Sequence, residues 1–369
     1  MLVVLMFSCR EEDVIYIPEE VEVAQPEFTD VQGFFLLNEG NMGSNKATLD
    51  YYNYRTGRYS RDVFPKFNPG QVKEMGDVGN DLGIYGDKLY AVINCSNKID
   101  VLNKMSLKKI GQIDIPNCRY IQFYKQYAYV TSYVGPVSLT DEGAKKQLGA
   151  VFKVDTASLQ VVDTCVVGRQ PDGISIAGGK IYVANSGGYD TENYENTVSV
   201  IDIETFREEE KIPIAINLQY CKCDRRGVLW ISSRGDYYNT PSRIIAYDTR
   251  KRRIVKQLDC PANNMWLDGD SLYMVSAEWS YISGENKAST YMIIDTSKLE
   301  VVNNCFISDG TEKNIHIPYG VAVNPVTKEI LVTDAWNYVS PGWLYCFDPD
   351  GKLKWSIRTG DIPAHIAFF

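Results

Sequence analysis

Histidine is almost missing from this chain: His316 and His365 are the only two in 369 residues. Zinc is therefore not expected, since its sites draw on imidazole or on paired Cys-x-Cys arrangements, and only one such pair exists, Cys221 and Cys223. The GxSxG elbow, the HExxH helix and the phosphate-binding P-loop are all lacking, so no catalytic constellation is marked. Surplus positive charge is lacking too. The formal net charge is −9, which argues against nucleic acid as a partner, because phosphate binding needs a basic surface. No stretch is long and apolar enough to span a membrane as a helix. The nine cysteines are scattered, and a chain of this size needs no disulfide scaffold. Two acidic runs, DPDGK (Asp348–Lys352) and DGDS (Asp268–Ser271), lack the remaining ligands of a calcium loop. They fall where hairpin turns belong.

What the sequence has in abundance is short alternating strands. From Gly178 to Ile214 it reads GGKIYVANSGGYDTENYENTVSVIDIETFREEEKIPI. KIYVAN and TVSVIDI alternate, REEEKIPI closes with charges suited to water, and PDGISIAG just upstream supplies a fourth strand. Four such strands make one antiparallel sheet that cannot bury its faces alone and needs copies of itself. The copies are marked by an Asn or Asp at the end of a β-rich run: Asn53, Asn103, Asp155, Asp202, Asp248, Asp295 and Asp348, spaced 46 to 53 residues apart. An acidic or amide side chain there caps backbone amides in the turn that follows. Seven units of four strands imply an all-β, seven-bladed β-propeller over residues 31–369. Two stacked sandwiches also alternate, but they explain neither the regular period nor the ends. The first unit lacks an inner strand, and the chain finishes on an unpaired one. Ile362–Phe369 is therefore expected to complete blade 1 and close the ring.

Residues 1–9, MLVVLMFSC, read as the shortened tail of a lipoprotein signal with Cys9 as the lipidated residue. Residues 10–30 are acidic, contain proline and lack a core pattern, as a tether does. A membrane association through a lipid anchor alone follows from that reading.

In such a ring, the loops between second and third strands and those joining blades emerge on one face. Here they are long and rich in Tyr, Trp, Asn and Gly, whereas the opposite turns are short and charged. Long loops of that composition suit ligand binding. The candidate aromatic platforms are Tyr133, Tyr189, Tyr237, Tyr238, Trp279, Trp336 and Tyr338. Asn94, Asn185, Arg234 and Asp334 are candidate polar contacts at the ends of second strands. Arg119, Asp172, Tyr220, Asn263, Tyr319 and His365 are placed near the channel mouth by the inter-blade loops. A metal-assisted lactonase of the six-bladed kind would have to draw on Glu39, Asn185 and Asp334, and the blade count is against it.

The repeats GGKIYVANSGGYDTENYENTVSVIDI and GDKLYAVINCSNKIDVLN resemble those of YncE-like, surface-layer-type seven-bladed propellers over nearly all of residues 31–369. With the lipobox-like start, acidic tether and Tyr/Asn-rich loops, the chain looks like the BtuG surface lipoproteins. That resemblance implies a non-enzymatic protein that captures cobalamin or another corrinoid on its loop-bearing face and passes it to a TonB-dependent outer-membrane transporter. No cofactor is required in that reading. A glycan-binding or protein-scaffold lipoprotein is the second class of function, and a propeller hydrolase the third.

Overall fold

The computed structural model describes residues 19–369 apart from 278, 281–284 and 287–288. Cys9 and the signal-like segment lie outside the described residues. Seven antiparallel four-stranded units follow one another. Blade 2 is Gly79–Tyr85, Lys88–Ile93, Lys98–Asn103 and Lys109–Asp114. Blade 3 begins at Cys118, blade 4 at Pro171, blade 5 at Leu218, blade 6 at Asn264 and blade 7 at Pro318. Their innermost strands touch in ring order, and the last strand, Pro363–Phe368, lies between those of blades 7 and 2. That strand pairs with Gly33–Asn38 as the inner strand of blade 1, Phe34 opposite Phe368 and Leu36 opposite Ile366. The expected closure is the one observed.

The core lies between blades rather than within any one of them. Second and third strands are covered on both faces by neighbouring sheets, so Val228–Ser233 is buried at all six positions. Outer strands face water on alternate residues, as in Arg207–Pro213, the REEEKIP segment. Trp230 of blade 5 is fully buried among Ile181 and Val183 of blade 4 and Met265 and Met274 of blade 6.

The turn residues behave as their chemistry requires. Asn103 Oδ1 accepts from the amides of Met105 and Ser106. Asp155, Asp202, Asp248 and Asp295 each accept from the amides two and three residues on. Asn53 and Asp348 hold their turns through the residue two on, and Asp348 also through Lys352. Asp268–Ser271 is likewise a strand-to-strand turn.

The acidic segment is docked at its C-terminal end. Glu20–Glu22 pairs with Arg58–Ser60 as a fifth strand on the outer edge of blade 1. Arg58 reaches Glu20 at 2.8 Å, and Val23 and Ala24 pack on the cluster around Tyr52 and Tyr59.

Blade 1 also carries a pH-sensitive carboxyl. Asp62 precedes the short helix Val63–Phe67 without capping it. Burial, and then the Asp50 carboxylate beside it, pushes its pKa up to about 6. Its unfolded value is about 3.9. The charged form is thus penalised in the fold, fully so above about pH 6, and the penalty vanishes as pH falls toward about 4. Asp62→Asn is expected to raise the melting temperature at pH 7.5 and to flatten the rise that the unaltered chain shows between pH 7.5 and 5. Parallel melting curves of the two chains over that window would count against this assignment.

Candidate functional site

The loop-bearing face has a mouth because the inner strands bulge there. Register against the second strand slips at Gly79/Asp81, Val130/Ser132, Pro171/Ile174, Leu218/Cys221, Pro318/Val321 and Leu37/Asn38. Blade 6 alone pairs without a slip along its inner strand. A bulge inserts an extra residue, bends the strand and leaves an amide out of the ladder. A hydroxyl on the second strand meets that amide: Tyr120 N–H donates to Thr131 at 3.0 Å, Tyr220 N–H to Ser232 at 3.0 Å and Gly320 N–H to Thr333 at 2.7 Å. The bulged segments carry Arg119–Tyr120, Asp172, Tyr220 and Tyr319 toward the axis.

A cavity of about 370 Å³ opens at the mouth, lined by Glu39, Arg119, Tyr220, Arg234, Tyr237, Asn263, Tyr319 and Tyr338 among others. A flanking cavity of about 230 Å³ takes in Asn94, Arg119, Tyr133 and Tyr189. Below lies a channel cavity of about 360 Å³ that His365 lines. Tyr120 and Tyr220 border both mouth and channel, edge to face at 5.6 Å, and form the floor between them.

One wall is cationic. Asp172 is fully buried. Its Oδ1 accepts from Arg119 Nε at 3.0 Å and from the Tyr133 hydroxyl at 2.7 Å, and its Oδ2 lies 3.5 Å from Arg234 Nη2. The Arg119 guanidinium also stands over the Tyr133 ring, 4.8 Å from its centroid. The other wall is anionic. Glu39 accepts from the Tyr319 hydroxyl at 2.9 Å and lies 3.1 Å from His365 Nε2, while His365 Nδ1 is 3.9 Å from Asp81. Burial raises the Asp81 carboxyl, and His365 opposes that shift. Burial pushes the Tyr133 and Tyr319 phenols well above their usual range, and Tyr338 up to about 12. All three are neutral donors at physiological pH.

Ten of the expected residues therefore line the mouth or its flank, Asp172 braces it from below and His365 stands in the channel. Four others are placed elsewhere. Asn185 is fully buried and donates to Thr197 and Ser199 inside blade 4. Asp334 is fully buried and accepts from the amides of His316, Ile317 and Trp336. Tyr238 is 58% exposed and outside the mouth lining. Trp336 packs against His316 and under Arg358. Trp279 sits on a two-residue strand, Trp279–Ser280, whose side chains lie outside the described residues.

Asp81 and Tyr120 are absent from the expected set, and Glu39 entered it only as a lactonase carboxylate. Its place at the mouth was findable: it follows the second strand of blade 1 as Asn94, Tyr133 and Arg234 follow theirs. Among the described residues, no group of three or more His, Cys, Asp or Glu is arranged to hold a metal ion. The carboxylates of Glu39 and Asp81 flank opposite nitrogens of one imidazole rather than converging on a point. Neither Asn185 nor Asp334 reaches the mouth, so a Glu39–Asn185–Asp334 set does not assemble.

A family model described as "Domain of unknown function (DUF5074)" matches residues 32–368. No curated protein matches the sequence. Among solved structures, a quinonprotein alcohol dehydrogenase-like protein of Bacteroides thetaiotaomicron is similar at a TM-score of 0.62 and 14% identity, over 92% of this chain and 78% of that one. Hydrazine synthase of Kuenenia stuttgartiensis matches at 0.56 and 16%, over 74% and 77%. The Pan2 WD40 domain of Neurospora crassa matches at 0.55 and 12%, over 89% and 87%. At these identities the likeness is one of fold.

Proposed function

Because the chain belongs to the DUF5074 family, whose fold here is a seven-bladed propeller, we propose that it captures a large, flat, partly polar ligand on its loop-bearing face, and that the ligand is a corrinoid. The observation that carries the reading is the tyrosine-lined mouth. Tyr120 and Tyr220 make its floor, and Tyr237, Tyr319 and Tyr338 stand around it. Each ring that meets a flat ligand contributes about 0.5–1.5 kcal/mol beyond the area it covers. A corrinoid's amide rim both donates and accepts, so it can pair with phenol oxygens whose own proton is already given, as Tyr319 gives its to Glu39. Blades 1, 2, 3, 5, 6 and 7 all contribute residues, and the closed ring holds them in place before binding, so little ordering cost remains. A metal-assisted lactonase built on Glu39, Asn185 and Asp334 is disfavoured because Asn185 and Asp334 are engaged inside the protein.

The resemblance to BtuG lipoproteins supplies the corrinoid, and with it the biological setting. Cys9 would carry the lipid at the outer membrane, the propeller would face outward, and a TonB-dependent transporter would receive the ligand. Calorimetric titration with cyanocobalamin, and with its precursor lacking the lower nucleotide ligand, tests the proposal. Tight one-to-one binding is the expected result. The absence of heat and of competition at high micromolar ligand would remove the corrinoid and move glycan or protein binding to first place.

A further inference from the structure

Two arginines share a single carboxylate at the mouth. Asp172 Oδ1 is taken by Arg119 Nε and the Tyr133 hydroxyl, while Oδ2 is buried without a hydrogen bond and lies 3.5 Å from Arg234. The two guanidinium groups are therefore only half neutralised where they stand. Both line the mouth cavity, and their side chains are 17% and 26% exposed. The floor supplies no compensating charge, because burial keeps the Tyr120 and Tyr220 phenols protonated. Glu39 is the one carboxylate among the described residues that line the mouth cavity, and both of its oxygens are engaged, by Tyr319 and His365. A guanidinium carries five donors, and Arg119 gives only its Nε–H to Asp172.

We propose that the space between Arg119 and Arg234 is a subsite for one oxyanion, a phosphate ester or a carboxylate, carried by the ligand whose flat part lies on the tyrosines. Asp172 holds both arginines in position and cancels one of the two charges, which leaves a positive charge for the carboxylate or phosphate ester to offset. Desolvation at the mouth strengthens the contact relative to water. The inference deepens the capture reading and rests on it for the flat portion of the ligand. It does not depend on the ligand being a corrinoid.

The test uses the full chain and three small probes at fixed ionic strength: phenyl phosphate, benzoate and the neutral benzyl alcohol. At least one anionic probe is expected to bind about 10–100-fold more tightly than benzyl alcohol, the range of a charge-assisted pair. The better of the two identifies phosphate or carboxylate as the group recognised. Arg234→Gln is expected to lose about tenfold or more for that probe and nothing for benzyl alcohol, while Arg234→Lys keeps part of the affinity. A melting curve confirms that each variant is folded, and Arg119→Lys gives an independent second variant. Equal binding of all three probes, binding of none, or full affinity in folded Arg234→Gln would overturn the subsite. If phenyl phosphate or benzoate binds and cyanocobalamin does not, the corrinoid reading falls and the subsite stands. If cyanocobalamin binds and the anions show no preference, the reverse holds.

Discussion

A chain ending at Ile362 is expected to lose its cooperative fold. The missing segment supplies the whole inner strand of blade 1. Ala364, Ile366 and Ala367 are buried, Phe368 meets Phe34 edge to face at 5.8 Å, and Phe369 stacks on Phe35 at 4.8 Å. Burying one isoleucine and part of two phenylalanines contributes at most roughly 4–9 kcal/mol, against a typical net stability of about 5–15 kcal/mol. The cut would also bare the edge of Gly33–Asn38, whose sequence GFFLLN is an apolar template for pairing with other chains. Urea unfolding followed by tryptophan fluorescence, with size-exclusion chromatography, reads both effects. The expected result is a shallow or absent transition and aggregation, with partial recovery when a peptide of residues 363–369 is added. A monomeric truncated chain with an unchanged midpoint would show that the ring does not rely on its last strand.

Asp172→Ala is the point substitution with the largest expected cost. It removes the one carboxylate that Arg119, Arg234 and the Tyr133 hydroxyl share. Breaking a buried pair by deleting one partner costs about 3–5 kcal/mol, because the remaining charge is left unpaired in a poorly solvated place. Asp172→Asn keeps the shape and loses the charge, so it should fall between the two. Combining Asp172→Ala with Arg119→Leu should recover part of the loss, since the double variant no longer buries that guanidinium unpaired. Denaturant midpoints of the four chains test the set. A loss below about 1 kcal/mol in Asp172→Ala would place the pair among solvent-screened surface bridges.

Features that depend on neighbours in sequence were legible without the structure. Asn103 and Asp295 cap amides two and three residues away, so composition and position alone marked their turns. The terminal strand was legible because its sequence resembles other inner strands and has no partner of its own before the chain ends. The strand Glu20–Glu22 was not legible. It is three residues long, its two glutamates face water, and only Val21 packs partly inward. Nothing in its pattern distinguishes it from solvated chain until the edge of blade 1 lies beside it.

The mouth was half legible. Loop position brought forward Arg119, Tyr133, Arg234, Tyr237, Tyr319 and Tyr338, because every loop of one parity emerges on one face of a propeller. It also brought forward Asn185 and Asp334, whose side chains turn into the blades. The strand period is two, so a single inserted residue exchanges inward for outward. The bulges make that exchange along the inner strands that carry Asp172 and Tyr220, and hydroxyls of the adjacent strand, such as Thr131 and Ser232, meet the freed amides, a pairing that no local pattern assigns. By itself the sequence determined the repeat, the turns, the blade count and the closure, since each follows from contacts within a blade or from counting blades. The tertiary structure alone decided that residues 119, 172 and 234 meet around one carboxylate, and that Glu39 meets His365 across 326 positions of chain. Those contacts form only when separate blades are curved into one ring, and their geometry is set by bulges that hydrophobic periodicity does not encode.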